Sequence, residues 1–304
     1  MAKNNPEVIS VNHQTAKGYL FAILSAVIYG CMPLMATLIY ADGVNPFTLV
    51  FLRNLFSLIP LALLAYREKG TLRIPLKLLP ALSLISVLGC SLTPILLFSS
   101  YRYMASGTAT VFHFAYPAIV VLGNILFYRK RAQFGNLFSV LLCAVGIGLF
   151  YTPGQPINLT GSVLALSSAV TFAAYVVLLS HFDNREASGF LFSFYVALVS
   201  SIVPFLICLV TDSIMLPATA RGWGLCMLFS LMVTTGAVVL FQQSTFLIGG
   251  ERASILSTLE PITSIVIGVI VFLEPLSFRT LLGVIFVVSA SILTALFDIR
   301  SNEP

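Results

Sequence analysis

The stretch LSTLEPITSIVIGVIVF, Leu256 to Phe272, sets a glutamate and a proline side by side, Glu260 and Pro261, in a run otherwise suited to hydrocarbon. An ionisable group at membrane depth is expensive and points to function. Proline removes a backbone donor and kinks a helix interior. At about seven residues into a helix, with a rise of 1.5 Å per residue, Glu260 lies roughly 10 Å from the interface. Ser257, Thr258 and Thr263 add polar groups nearby. The segment therefore reads as a cavity wall, with Glu260 a proton or substrate-ammonium site, or else as a folding anchor held by an adjacent helix.

The rest of the chain is equally apolar. Its 304 residues are 58% hydrophobic and 9% charged, with a mean hydropathy of +1.00, whereas a soluble domain carries about 25% charged residues. Ten apolar runs approach the roughly 20 residues that cross a bilayer as helix. They are Gly18 to Tyr40, Phe47 to Tyr66, Leu78 to Tyr101, Ser106 to Tyr128, Gln133 to Tyr151, Leu159 to Ser180, Gly189 to Val210, Gly222 to Phe246, Ala253 to Leu273 and Ser277 to Phe297. Because the runs are continuous rather than alternating, they read as helices and not barrel strands. The expected fold is an all-α integral membrane protein of ten transmembrane helices.

Charge sets the expected orientation. Lys and Arg cluster at Lys3, Lys17, Arg67 to Lys77, Arg129 to Arg131, Arg185, Arg252 and Arg300, while the opposite loops hold Arg102, Arg221 and Arg279. The positive-inside rule then places both termini in the cytoplasm of an inner or plasma membrane. It also accounts for the net charge of +5 without a nucleic-acid partner. The polar segment 1–17 leads into a first run too long for a cleavable leader. Five cysteines lie within apolar runs without CxxC spacing, which argues against disulfides and metal. No Walker, HExxH or GxSxG motif supplies ATP-driven or hydrolytic chemistry, and no cofactor is expected.

The second half repeats the first. At an offset of 144, Gly107 to Tyr128 lies over Glu251 to Phe272, pairing Ala109 with Ala253 and Pro117 with Pro261; Ser57 and Pro60 fall on Ser201 and Pro204. At 143, Ala22, Ala26 and Gly30 fall on Ala165, Ala169 and Ala173, a small-residue face that admits a close neighbour. The units are 18–151 and 159–297, joined by 152–158, with tails 1–17 and 298–304. Five helices per unit is odd, so the copies are expected to thread the membrane in opposite senses. Such inverted repeats open a midplane site to each side in turn.

These features resemble the drug/metabolite transporter superfamily in its ten-helix EamA-type branch. The resemblance rests on the tandem five-helix units and on ASILSTLEPITSIVIGVIVFLEPLSFRTLLGVIFVVSASIL, Ala253 to Leu293. That stretch is similar to the family pattern of Leu-Glu-Pro in the ninth helix, a second Glu after it and a Gly-containing tenth helix. In the first half Tyr116 stands where the second has Glu260, and Arg129, Lys130 and Arg131 replace the acid that often closes the fourth helix. The resemblance implies a secondary carrier, usually an exporter of amino acids, metabolites or drugs.

Several other residues are candidates for a binding cavity. Arg53, six residues into the second run, can grip a substrate carboxylate bidentately, balance Glu260, or snorkel to the interface. His113 shares a helical face with Tyr116 and can titrate near neutral pH, though a structural histidine satisfied by a hydroxyl fits equally. Its repeat mate is Ser257. Gln242, Gln243 and Tyr101 offer polar groups to the same space, with at most one of the two glutamines facing it. Tyr101 and Tyr103 fit an interfacial belt as well, and Tyr29 reads as packing. Pro117 and Pro261 are the expected kinks.

The expected function is secondary transport, with export, of a small metabolite such as an amino acid or a related amphipathic compound. Proton coupling through Glu260 or His113 is one version; an uncoupled facilitator or exchanger is another. The expected partners are the small-molecule substrate, the lipid bilayer and protons, and the carrier could be a monomer or a homodimer. An intramembrane lipid-modifying enzyme needs paired acids, a nucleophile with its base, or a metal set, for which Glu260 alone is too few.

Overall fold

The computed structural model describes residues 6–128, 138, 141–142, 144–146, 148–149, 158–182, 189–257, 259–271 and 277–301. Most of the fifth expected run, Gln133 to Tyr151, lies outside them, as does Thr258. Among the described residues all regular structure is helical. Eight helices among the described residues are long and apolar enough to cross a membrane, and Phe278–Ser301 carries a shorter apolar stretch, Leu281–Ala290. Outward-facing side chains such as Ile59, Leu63, Val210 and Ile270 are apolar and exposed, as a lipid-facing surface requires. The protein is a multi-pass membrane protein.

The prolines explain how the spans are built. The first span is two helices, α1 (Pro6–Gly30) and α2 (Met32–Ala41), broken at Cys31, with Pro33 in the first turn of α2. After α3 (Pro46–Lys69), the third span runs through α4 (Leu79–Ser86), a π-helical turn Val87–Leu92 and α5 (Thr93–Ser100), with Pro94 opening α5. The fourth breaks between α6 (Ser106–His113) and α7 (Tyr116–Tyr128), and Pro117 falls in the first turn of α7. Thus Pro117 marks a new start rather than a bend in one helix. A first-turn proline removes an N–H that has no intrahelical acceptor anyway.

The second half follows the same plan. It comprises α8 (Leu159–Ser180), α9 (Gly189–Val210), and α10 (Ala220–Phe229) continuing through a π-helical turn Ser230–Val238 into α11 (Val239–Ile248). Then come α12 (Gly250–Leu256), α13 (Leu259–Val271) and α14 (Phe278–Ser301). Residues 87–92 shifted by 144 give 231–236, inside the second π-helical turn, and the α6–α7 break maps onto the α12–α13 break. The break at Cys31 has no counterpart, since α8 is continuous.

Packing is exchanged between the halves. α1 packs on α11, α12 and α13, and its mate α8 packs on α5, α6 and α7. Both small-residue faces are buried, with Ala22, Ala26, Ala165 and Ala169 fully inaccessible. Gly30 lies so close to α13 that a Cβ there would strike Thr263 and the Glu260 carbonyl. Gly30→Val is therefore expected to destabilise the protein by about 1–3 kcal/mol, read as a lower melting temperature in detergent; an unchanged melt would show that α1 and α13 do not meet this closely. The mates α3 and α9 lie side by side and antiparallel. Asn45, at the start of α3, donates its Nδ2 to the Ser213 carbonyl beyond the end of α9 (2.5 Å). At the other end Glu68, near the end of α3, accepts the Phe190 N–H at the start of α9 (2.8 Å).

Candidate functional site

Where the broken and π-helical segments meet, the bundle forms a pocket of about 30 Å³, room for one or two waters. Three of the expected residues line it together: Glu260, Arg53 and His113. Tyr29, Met32, Gly89, Cys90, Thr93, Pro94, Leu97, Phe172 and Tyr175 complete the wall. Two pairs of these are repeat mates at an offset of 143, Tyr29 with Phe172 and Met32 with Tyr175. The wall is nonetheless lopsided, because the π-helical turn of the first half contributes Gly89 and Cys90 and that of the second contributes nothing.

Glu260 is 6% exposed, in the first turn of α13. A helix N-terminus favours an acid there, which with the first-turn position of Pro261 answers why this segment tolerates both residues. Its backbone N–H donates to the Ser257 carbonyl (2.9 Å). No donor or counter-ion stands at its carboxylate among the described residues. Arg53 is 3% exposed, so it does not snorkel. Its guanidinium lies over the Phe98 ring, 5.9 Å from the centroid, and its Nε has no hydrogen-bond partner. Glu260 and Arg53 thus line one small cavity without forming an ion pair.

His113 ends α6, and its Nδ1 lies 2.8 Å from Ser168 Oγ on α8. Ser168 directs its single proton to the Ala165 carbonyl (2.6 Å), so the network assigns the Nδ1 proton to His113 and leaves Nε2 an acceptor. His113 rests against Tyr116 and Phe172, with centroids 5.5 and 5.3 Å away. Tyr116, the mate of Glu260, is fully buried, and its hydroxyl reaches the Ser254 carbonyl at 3.4 Å.

Other expected contributors stand elsewhere. Gln242 is buried, but its carbonyl accepts from Ser193 Oγ (2.7 Å) on α9, behind the wall. Gln243 also misses the wall, and its Nε2 has no partner. Ser257 turns its hydroxyl back to the Ala253 carbonyl (3.0 Å), satisfying its own helix. Tyr101 faces Thr110 at 3.5 Å, outside the cavity, and Tyr103 is exposed. Conversely, Tyr29, read from sequence as packing, lines the cavity. Tyr175, Phe172, Cys90 and Thr93 were not anticipated; the alignment of Tyr29 and Met32 with Phe172 and Tyr175 was the signal available for two of them.

Both ends of the bundle are fastened across the halves. At one end Asp42 accepts from the Thr219 N–H (3.1 Å) and Thr219 Oγ1 (2.7 Å), and Thr48 Oγ1 accepts from the Met215 N–H (3.1 Å). The Thr219 bonds hold the Asp42 carboxyl below the usual carboxylate range. At the other end the Glu68 bond is joined by Tyr195 donating to the Leu72 carbonyl (2.8 Å).

The described residues thus form a duplicated bundle of apolar helices around a small cavity lined by Glu260, Arg53 and His113. The sequence pattern of the EamA-like transporter family matches residues 16–152 and again 159–296, and the chain belongs to that family. It is similar to the uncharacterized inner membrane transporter YicL of Salmonella typhimurium, 27% identical over 93% of this chain and 96% of that one. An uncharacterized transporter of Clostridium kluyveri is 22% identical over 94% and 96%, and YcbK of Bacillus subtilis, also an uncharacterized transporter, 24% over 89% and 90%. One solved crystal structure shares the fold, with a TM-score of 0.69 at 15% identity over 95% of this chain and 99% of that one.

Proposed function

We propose that the protein is a ten-helix secondary carrier of the inner or plasma membrane, with both termini cytoplasmic. Its two five-helix halves are inverted copies that expose the central cavity to each side in turn, exporting a small zwitterionic metabolite such as an amino acid or a related amphipathic compound. One observation carries this reading: Arg53 and Glu260 line the same cavity and neither has a charged partner. A zwitterion supplies both partners at once, its carboxylate to the Arg53 fork and its ammonium to Glu260, offsetting two desolvated charges with one ligand. The antiparallel run of α3 and α9 supports the inversion, because repeat mates point in opposite directions. The Asp42 and Glu68 bonds join the halves at opposite ends of the bundle, and alternating exposure of the cavity requires one or the other to part.

Proton coupling enters through Glu260, which cannot hold a proton and a substrate ammonium together. One proton moves inward for each solute released outward. The test is purified protein in liposomes loaded with candidate amino acids. Saturable counterflow of labelled solute supports a carrier; flux that scales linearly with concentration indicates a channel and overturns the proposal. Uphill accumulation on imposing a pH difference separates the coupled carrier from a facilitator.

A further inference from the structure

The two π-helical turns are repeat mates, yet they are held by different partners. Asn54, beside Arg53 on α3, directs Nδ2 at the Val50 carbonyl (2.8 Å), the Cys90 carbonyl (3.4 Å) and the Ser200 carbonyl on α9 (3.4 Å). A flipped amide would set its oxygen against three carbonyls, so the orientation is determined. Pro204 has no N–H to offer Ser200, so that acceptor stands available. Ser91 Oγ also donates to the Ser200 carbonyl (3.0 Å), and Ser200 Oγ donates back to the Ser86 carbonyl (3.0 Å). The turn Val87–Leu92 is thereby tied at its start, middle and end to α3 and α9.

None of these ties recurs in the second half. Shifting by 144, Asn54 becomes Leu198, Ser91 becomes Thr235 and Cys90 becomes Thr234, while the position matching Ser200 is Phe56. The Thr234 and Thr235 hydroxyls are buried without partners, as is Asn54 Oδ1, and the second turn is held instead by Ser230 Oγ donating to the Arg53 carbonyl and Ser25 Oγ donating to the Ala237 carbonyl (2.8 Å).

We infer that Asn54 is a positioning residue. With Ser91 and Ser200 it fixes the first π-helical turn, and with it the Gly89 and Cys90 wall of the cavity, independently of the second turn Ser230–Val238, which Ser25 and Ser230 hold. The expected change in half-saturation rests on the transport reading; the inference about the turn does not.

Cys90 is a native reporter of this turn. In full-length protein with Cys31, Cys143, Cys208 and Cys226 replaced by Ala, Asn54→Leu should raise the rate of Cys90 modification by a membrane-permeant maleimide about tenfold, and Ser91→Ala about threefold. Thr234→Cys, read in the same background with Cys90→Ala, should label at a rate that Asn54→Leu leaves unchanged. In liposomes Asn54→Leu should raise the half-saturating solute concentration about tenfold with little change in maximal rate. Unchanged Cys90 labelling in monodisperse Asn54→Leu protein overturns the inference. Should that variant not fold, unchanged labelling in Ser91→Ala does so. If the parent protein moves no solute, the transport reading fails while the labelling still decides the role of Asn54.

Discussion

Glu260→Gln is expected to abolish accumulation of solute driven by a pH difference while leaving a weakened exchange of solute for solute. The amide fills the same volume in the first turn of α13, so Gly30 and Thr263 keep their approach and the fold is retained. It holds no charge to exchange for a proton. The ammonium of a zwitterion loses a charge-assisted bond of about 1.5–3 kcal/mol, so half-saturation in counterflow should rise about 10- to 100-fold. Counterflow and pH-driven uptake measured on the same liposomes check this. Wild-type accumulation by Glu260→Gln would remove Glu260 from the coupling step, and unchanged half-saturation would remove it from the site.

The stretch Leu256 to Phe272 is informative because hydrophobic runs, duplicated prolines and a lone acid are all one-dimensional signals. Repeat alignment pairs Pro117 with Pro261, but sequence could not distinguish a kink within a helix from the first turn of a new one. That distinction depends on whether residues such as Phe114 and Ala115 continue the helical path, which tertiary packing decides. It also changes the chemistry, since a first-turn position places Glu260 at a helix N-terminus.

The cavity was only partly legible for a related reason. Glu260, Arg53 and His113 announce themselves as polar groups in apolar runs. Phe172 and Tyr175 do not, because an aromatic residue in a membrane helix looks the same whether it faces lipid, core or substrate. The glutamines were misleading in the opposite way. Gln242 is polar and buried yet pairs with Ser193, a partner 49 residues away that no local pattern reveals. Gly89 shows the limit best: its missing side chain is what lets the Tyr175 ring lie against the first π-helical turn, and a glycine in a membrane helix carries no mark of what it admits.

Arg53→Met should make the protein more stable and nearly inactive. A buried guanidinium with an unpartnered Nε and no carboxylate beside it is a desolvated charge that folding does not compensate. Replacing buried ionic groups with apolar ones of similar volume is often neutral or favourable by 1–4 kcal/mol. For a chain of this size about 1 kcal/mol corresponds to a rise of roughly 2–4 °C in melting temperature. Methionine preserves the contact with Phe98 through its flexible apolar stem. Removing the fork, however, leaves a substrate carboxylate buried without a cation, so transport efficiency should fall at least about 100-fold. Arg53→Lys separates charge from shape: it retains the cation, loses the bidentate geometry, and should fall between the two. Thermal melts followed through Trp223 fluorescence, set beside counterflow for the three proteins, check both halves of the expectation. A melting temperature several degrees lower for Arg53→Met would mean that the guanidinium holds the bundle together. The unpaired charge would then be an anchor of the fold, and the carboxylate-binding role would pass to another group.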